Sequence, residues 1–131
     1  MISKIILVIF ILTSLIFSNR ENNQKEMEMN KIQSIKVLVQ VKHESREQFI
    51  KNQIEIGKDF RQIEGCINFE FSSDLENPNR FITYIEFDSE ESYQRYRSSN
   101  IGYKINTMLF PLHDGMPSYR HYESKILDIR N

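Results

Sequence analysis

The sequence predicts an α+β fold: a four-stranded antiparallel sheet with two helices on one face. Three observations lead there. Four short stretches alternate apolar and polar residues with the period of two that a half-buried strand requires. Two stretches between them repeat apolar residues at helical spacing instead. They occur in the order strand, helix, strand, strand, helix, strand, which is the split βαβ arrangement.

The first strand is read over Lys31 to Lys42, with Ile35, Val37, Val39 and Val41 on one face and Lys36, Leu38, Gln40 and Lys42 on the other. Its β-branched content favours strand over helix. Ser45 and Gln48 have the spacing of a capping box, and Phe49, Ile50, Ile54, Ile56, Phe60 and Ile63 recur at helical spacing up to Gly65. Gly65 falls where a helix hands over to a strand, a place that commonly needs a positive φ. In the second strand Ile67, Phe69 and Phe71 alternate with Asn68, Glu70 and Ser72. Ser73 to Asn79 collects turn-forming residues around Pro78, so the third strand, Phe81 to Phe87, closes a hairpin. Asp88 with Glu91 is placed to cap a helix from Ser89 to about Ser98, which carries Tyr93 and Tyr96 on one side.

Ile101, Ile105, Met108 and Leu109 suit a further short helix ended by Pro111 and by the turn His113-Asp-Gly-Met-Pro117. Ser118 to Leu127 is the last strand, Tyr119, His121 and Glu123 alternating with Arg120, Tyr122 and Ser124. The element order is ferredoxin-like. Several strands carry large apolar residues on both faces, Leu38 against Val37 and Ile82 and Tyr84 against Ile85. Two helices cover one face only, so a homodimer packed through the sheet faces, a dimeric α/β barrel, is expected.

Residues Met1–Ser18 hold one charge, Lys4, followed by an apolar run from Ile5 to Leu12 that resumes through Phe17. This is the pattern of a secretory signal peptide or, if uncleaved, an N-terminal membrane anchor. The expected location is therefore secreted, periplasmic or membrane-tethered. Asn19–Asn30 is polar and reads as a linker, leaving residues 31–131 as the folded domain. Losing Lys4 with the leader lowers 17 basic residues to 16 against 18 acidic, a net charge of −2. Such a balance lacks the electrostatic footprint of a nucleic-acid partner. The single Cys66 has no internal partner for a disulfide.

From Glu64-Gly65-Cys66 through Asn77-Pro78-Asn79-Arg80-Phe81 to Glu86-Phe87-Asp88-Ser89-Glu90-Glu91 the chain resembles the antibiotic biosynthesis monooxygenase domain. That family includes quinol monooxygenases and haem-degrading enzymes, and the same architecture also serves isomerases and proteins without a reaction. The resemblance implies a cofactor-independent monooxygenase acting on a small quinol or phenolic compound. Its alternatives are a non-catalytic small-ligand-binding module, an isomerase or a haem-degrading relative.

Oxygenases of the family usually end the second hairpin strand in tryptophan and carry a histidine about nine residues later. Here those positions are Phe87 and Tyr96. The implied chemistry needs an aromatic cavity and a base or hydrogen-bond partner for a substrate hydroxyl. Phe87 supplies wall without an indole N–H. Tyr96 supplies a hydroxyl whose ordinary pKa of about 10 makes it a poor base. His121 is the candidate base, since its charge changes near neutrality. Asn68 and Arg120 are candidates to orient a substrate oxygen. His43 and His113 fall in predicted turns and are expected to be exposed. No paired histidine spacing or carboxylate cluster points to a metal, and no glycine-rich phosphate loop points to a nucleotide, so no cofactor is expected.

Overall fold

A computed structural model describes the backbone of residues 2–29 and 31–127, and the side chains of residues 8–23 and 31–127. Met1, Asn30 and residues 128–131 of the expected segments lie outside the described residues. The segments read as leader and linker form one helix, α1 (Ile2–Met29). Its apolar residues from Val8 to Phe17 are all more than half exposed. Among the described residues no helix is long and apolar enough to cross a membrane.

The domain follows as β1 (Lys31–Gln40), α2 (Arg46–Gln62), β2 (Cys66–Ser73), β3 (Arg80–Phe87), α3 (Glu90–Arg97), α4 (Ile101–Lys104) and β4 (Ser118–Lys125). The strands form one open sheet in the order β2-β3-β1-β4, every pair antiparallel, which is the ferredoxin-like arrangement. In this sheet β1 and β3 are central, while β2 and β4 are edges.

Register assigns the faces. Gln33, Ile35, Val37 and Val39 stand opposite Phe87, Ile85, Thr83 and Phe81. On the other side of β1, Ile35 and Val37 stand opposite His121 and Tyr119. Residues directly opposed in a ladder share a face, and this set faces the helices. The core joins Ile35, Val39, Phe69, Phe81, Ile85 and Phe87 of the sheet to Phe49, Ile56 and Phe60 of α2 and Tyr93 of α3. Aromatic rings dominate it: Phe49 lies 4.9 Å from Phe81, and Phe60 lies 5.3 Å from Phe69 and 4.9 Å from Tyr96. The opposite face carries Lys36, Leu38, Ile82, Tyr84, Arg120 and Tyr122.

Several local expectations are revised. Ile67 is 52 % exposed rather than buried, because the ladder steps from Cys66↔Phe87 to Asn68↔Glu86 and leaves Ile67 as the extra residue of a bulge. In α2 the inward positions are Phe49, Gln53, Ile56, Gly57 and Phe60, while Ile54 is half exposed. Ser45 is itself helical at φ −99°, ψ 0°, so its side chain caps nothing. The cap of α3 is Ser89, extended at φ −160°, whose Oγ accepts from the Ser92 backbone N–H at 3.2 Å. Asp88 instead accepts from the Ser92 hydroxyl at 2.6 Å.

Gly65 takes φ +88°, and its carbonyl accepts from the Asp88 N–H at 2.8 Å, tying the end of α2 to the end of β3. After α4 the chain widens into a π-type turn (Ile105–Leu109) and tightens into a 3₁₀ turn (Phe110–Leu112), rather than continuing as one helix. Pro111 has no N–H to offer an α-helix, which explains the end.

Candidate functional site

Between the helix-facing side of the sheet and α2 lies a cavity of about 300 Å³. Its floor is Ile35, Val37 and Val39 of β1 with Thr83 and Ile85 of β3. Phe49, Gln53, Ile56 and Phe60 of α2 form one wall. The irregular stretch after α4 closes over it with Ile105, Leu109, Phe110 and His113, and Tyr96 and Tyr119 complete the rim. A cavity with this lining and a few polar groups is the common form of a small-molecule site.

The polar groups are unusual in lacking protein partners. Gln53 is 4 % exposed. Its Nε2 donates to Thr83 Oγ1 at 2.8 Å, and its Oε1 has no partner. Both ring nitrogens of His113 are shielded and likewise unpartnered. Leaving a buried polar atom unpaired costs about 1–3 kcal/mol, so two such groups facing one cavity mark a place prepared for a ligand's polar atoms.

His113 was expected in an exposed turn; it is instead half-buried and lines the cavity. The turn is drawn under the sheet because Val41 and His113 form a β-bridge beyond the end of β1. Backbone bonds from Lys42 N–H to Leu112 O (3.1 Å) and from Asp114 N–H to Gln40 O (2.7 Å) hold it there. The ring sits edge-on to Phe49 at 5.9 Å and 5.4 Å from Phe110. Burial pushes its pKa below the ordinary value. At neutral pH the ring is therefore the uncharged imidazole, with one nitrogen able to accept a proton and the other carrying N–H.

The two tyrosines behave differently from a base. Burial is the chief cause raising the Tyr96 pKa, with the neighbouring Tyr93 adding to it. For Tyr119 burial again comes first, followed by hydrogen bonding to Tyr93, and its pKa is also raised. Both phenols therefore stay protonated and serve as hydrogen-bonding hydroxyls. Tyr96 is fixed by stacking on Phe87, with centroids 5.6 Å apart and planes 14° from parallel.

Of the five residues singled out in the sequence, Tyr96 alone lines the cavity. Phe87 is fully buried behind it. His121 lies outside: its Nε2 is 2.8 Å from Gln33 Oε1, and its ring stacks on Tyr93 at 4.5 Å. Asn68, opposite Glu86, and Arg120, opposite Lys36, belong to the far face of the sheet, so the structure does not bring them to the cavity. Gln53, His113 and Tyr119 were not singled out. For Gln53 a signal existed, since it stands four residues after Phe49 and three before Ile56, on the inward stripe. Among the described residues no group of three or more His, Cys, Asp or Glu side chains converges as metal ligands.

Comparison with known proteins returns one family model, described as antibiotic biosynthesis monooxygenase, over residues 34–102. No curated protein matches the chain. Solved structures match in fold. A conserved protein from Methanosarcina mazei shares 22% identity at a TM-score of 0.66, covering 74% of this chain and 96% of its own. A Nitrosomonas europaea protein provisionally named an antibiotic biosynthesis monooxygenase shares 13% at 0.65, covering 71% and 89%. A Caulobacter crescentus protein with the same provisional name shares 9% at 0.67, covering 78% and 97%.

Proposed function

The chain belongs to the antibiotic biosynthesis monooxygenase family, and on that premise we propose that it oxygenates a small quinol or phenolic compound in the cavity behind Tyr96, without a cofactor. The observation that carries this reading is the pair of unpartnered polar groups, Gln53 Oε1 and the His113 ring, in a largely apolar, aromatic cavity whose other polar linings are Thr83, Asn106, Tyr96 and Tyr119. The apolar walls take the aromatic ring, and the neutral imidazole of His113 takes the phenolic proton.

The phenolate then passes one electron to dioxygen, and the resulting radical and superoxide combine into a C–O bond at a ring carbon. The proton held by His113 goes to the peroxide. Loss of water, which removes the ring C–H proton and breaks the O–O bond, leaves a carbonyl. One oxygen atom ends in the product and the other in water. The Tyr96 hydroxyl hydrogen-bonds the substrate oxygen, and Phe87 holds its ring by stacking. His121, Asn68 and Arg120 stand away from the cavity, and for His121 a positioning role through Tyr93 fits its ring stack.

The full chain, given a panel of reduced naphthoquinols and catechols with chelator present and no flavin, is expected to consume oxygen above the autoxidation blank. In His113→Phe, with the fold intact, uptake is expected to fall about a hundredfold or more, the range of general-base effects. Tight binding without oxygen uptake would instead assign the domain to the non-catalytic ligand-binding modules of this fold.

Two further readings accompany this one. The far face of the open sheet presents Leu38, Ile82, Tyr84 and Tyr122, which supports a homodimer packed through it, to be tested by light scattering in solution. The exposed apolar residues of α1 support export or tethering through that segment, which N-terminal sequencing of the mature protein tests.

A further inference from the structure

Gln53 is more than a polar contact, because its buried carbonyl oxygen lacks a donor that a ligand hydroxyl can supply. The amide has two donors and one acceptor atom. One of its N–H groups donates to Thr83 Oγ1 at 2.8 Å, and Thr83 is itself buried at 7 % exposure. That bond turns the carbonyl oxygen away as an acceptor with no protein donor. His113 does not discriminate in the same way, since a neutral imidazole offers both an N–H and a lone pair. A ligand bearing only acceptors therefore satisfies His113 and leaves Gln53 Oε1 buried and unpaired.

We propose that the cavity selects hydrogen-bond donors, the hydroxyl of a quinol that is not given to His113 donating to Gln53 Oε1, so that the reduced quinol is held more tightly than the quinone. This rests on the reading of the cavity as a phenol site, and it assigns Gln53 as the residue that sets redox-state preference. Oxidation converts the donating O–H into an accepting carbonyl and so removes the partner Gln53 needs.

The test is anaerobic calorimetric titration of the full chain with 1,4-dihydroxynaphthalene, 1,4-naphthoquinone and 1,4-dimethoxynaphthalene. The last keeps both oxygens and the ring but has no O–H. The diol is expected to bind at least about tenfold more tightly than either of the others, the scale of one unpaired buried acceptor. In Gln53→Met that preference is expected to shrink to within about threefold. The comparison of three ligands on the unaltered protein stands even if the variant does not fold.

Equal or tighter binding of the quinone or the dimethyl ether overturns the proposal, as does an undiminished preference in Gln53→Met. Oxygen uptake without diol preference refutes this inference alone, whereas diol-selective binding without oxygen uptake refutes the oxygenase reading alone. Failure of all three compounds to bind overturns both.

Discussion

Thr83→Val is the sharpest perturbation of the polar anchor in the cavity. The substitution keeps shape and β-branching but deletes the oxygen that accepts from Gln53 Nε2 at 2.8 Å. Gln53 is 4 % exposed and its Oε1 already lacks a partner, so the variant leaves the whole amide buried and unpaired. A lost buried partner costs about 1–3 kcal/mol; allowing for the extra methyl group, a loss of about 2 kcal/mol is expected. With a urea m-value of roughly 1–3 kcal/mol per M for a domain of this size, the unfolding midpoint falls by about 1 M at unchanged slope. The double variant Thr83→Val/Gln53→Met replaces both partners with apolar groups, so it is expected to return to within about 1 kcal/mol of the parent. Non-additivity is the signature of a real pair. A silent Thr83→Val, or a double variant whose loss equals the sum of the two singles, would refute the account of how Gln53 is held.

Three other expectations bear on the frame around the site. Gly65→Ala forces a side chain into φ +88° and drives its Cβ into Ser92 Oγ and Asp88 Oδ1, which join β3 to α3. A loss of at least about 2 kcal/mol and a Tm lower by roughly 10 °C or more follow, measurable by calorimetry; an unchanged Tm would contradict the junction described. Burial holds the His113 pKa below its ordinary 6.5, so on acidification the unfolded chain takes up a proton before the folded one. That contribution to stability is complete above about pH 6.5 and is lost as pH falls toward the folded value. Urea midpoints between pH 7 and 5 should therefore fall less steeply in His113→Phe than in the parent, and equal slopes would place the ring in solvent. Tyr96→Phe keeps the stack on Phe87 and is expected to change stability by less than about 1 kcal/mol while lowering kcat/KM roughly tenfold, which thermal unfolding and steady-state kinetics together check.

Much of this architecture was legible. Alternation in β1 and β3 assigned faces correctly; in β4 it gave the parity that sets Arg120 apart from Tyr119 but not the half-burial expected, since every residue of that edge strand is exposed, and the same parity set Asn68 apart from Phe69. What escaped was set by features that a local pattern does not contain. A period of two carries no mark of an inserted residue, so the bulge at Ile67 was invisible. Gln53 stood in register with Phe49, Ile56 and Phe60, but its polarity hid it from a search for apolar repeats. His113 sits among residues that look like a surface turn, and its burial comes from the bridge to Val41, more than seventy residues earlier in the chain. Long-range pairing of that kind decides which of three histidines reaches a cavity, and sequence spacing holds no trace of it.

In the proposed reaction dioxygen meets a phenol in the cavity between α2 and the sheet. Reaction under ¹⁸O₂ with a quinol found active, comparing the parent with Val37→Phe, tests it most directly. Val37 lies on the cavity floor between Thr83 and Tyr119, so the larger ring fills space without touching His113's supporting bonds. One labelled oxygen in the product and one in water are expected for the parent, with product formation abolished in a folded Val37→Phe. Unlabelled product, or undiminished turnover in the filled variant, would contradict it.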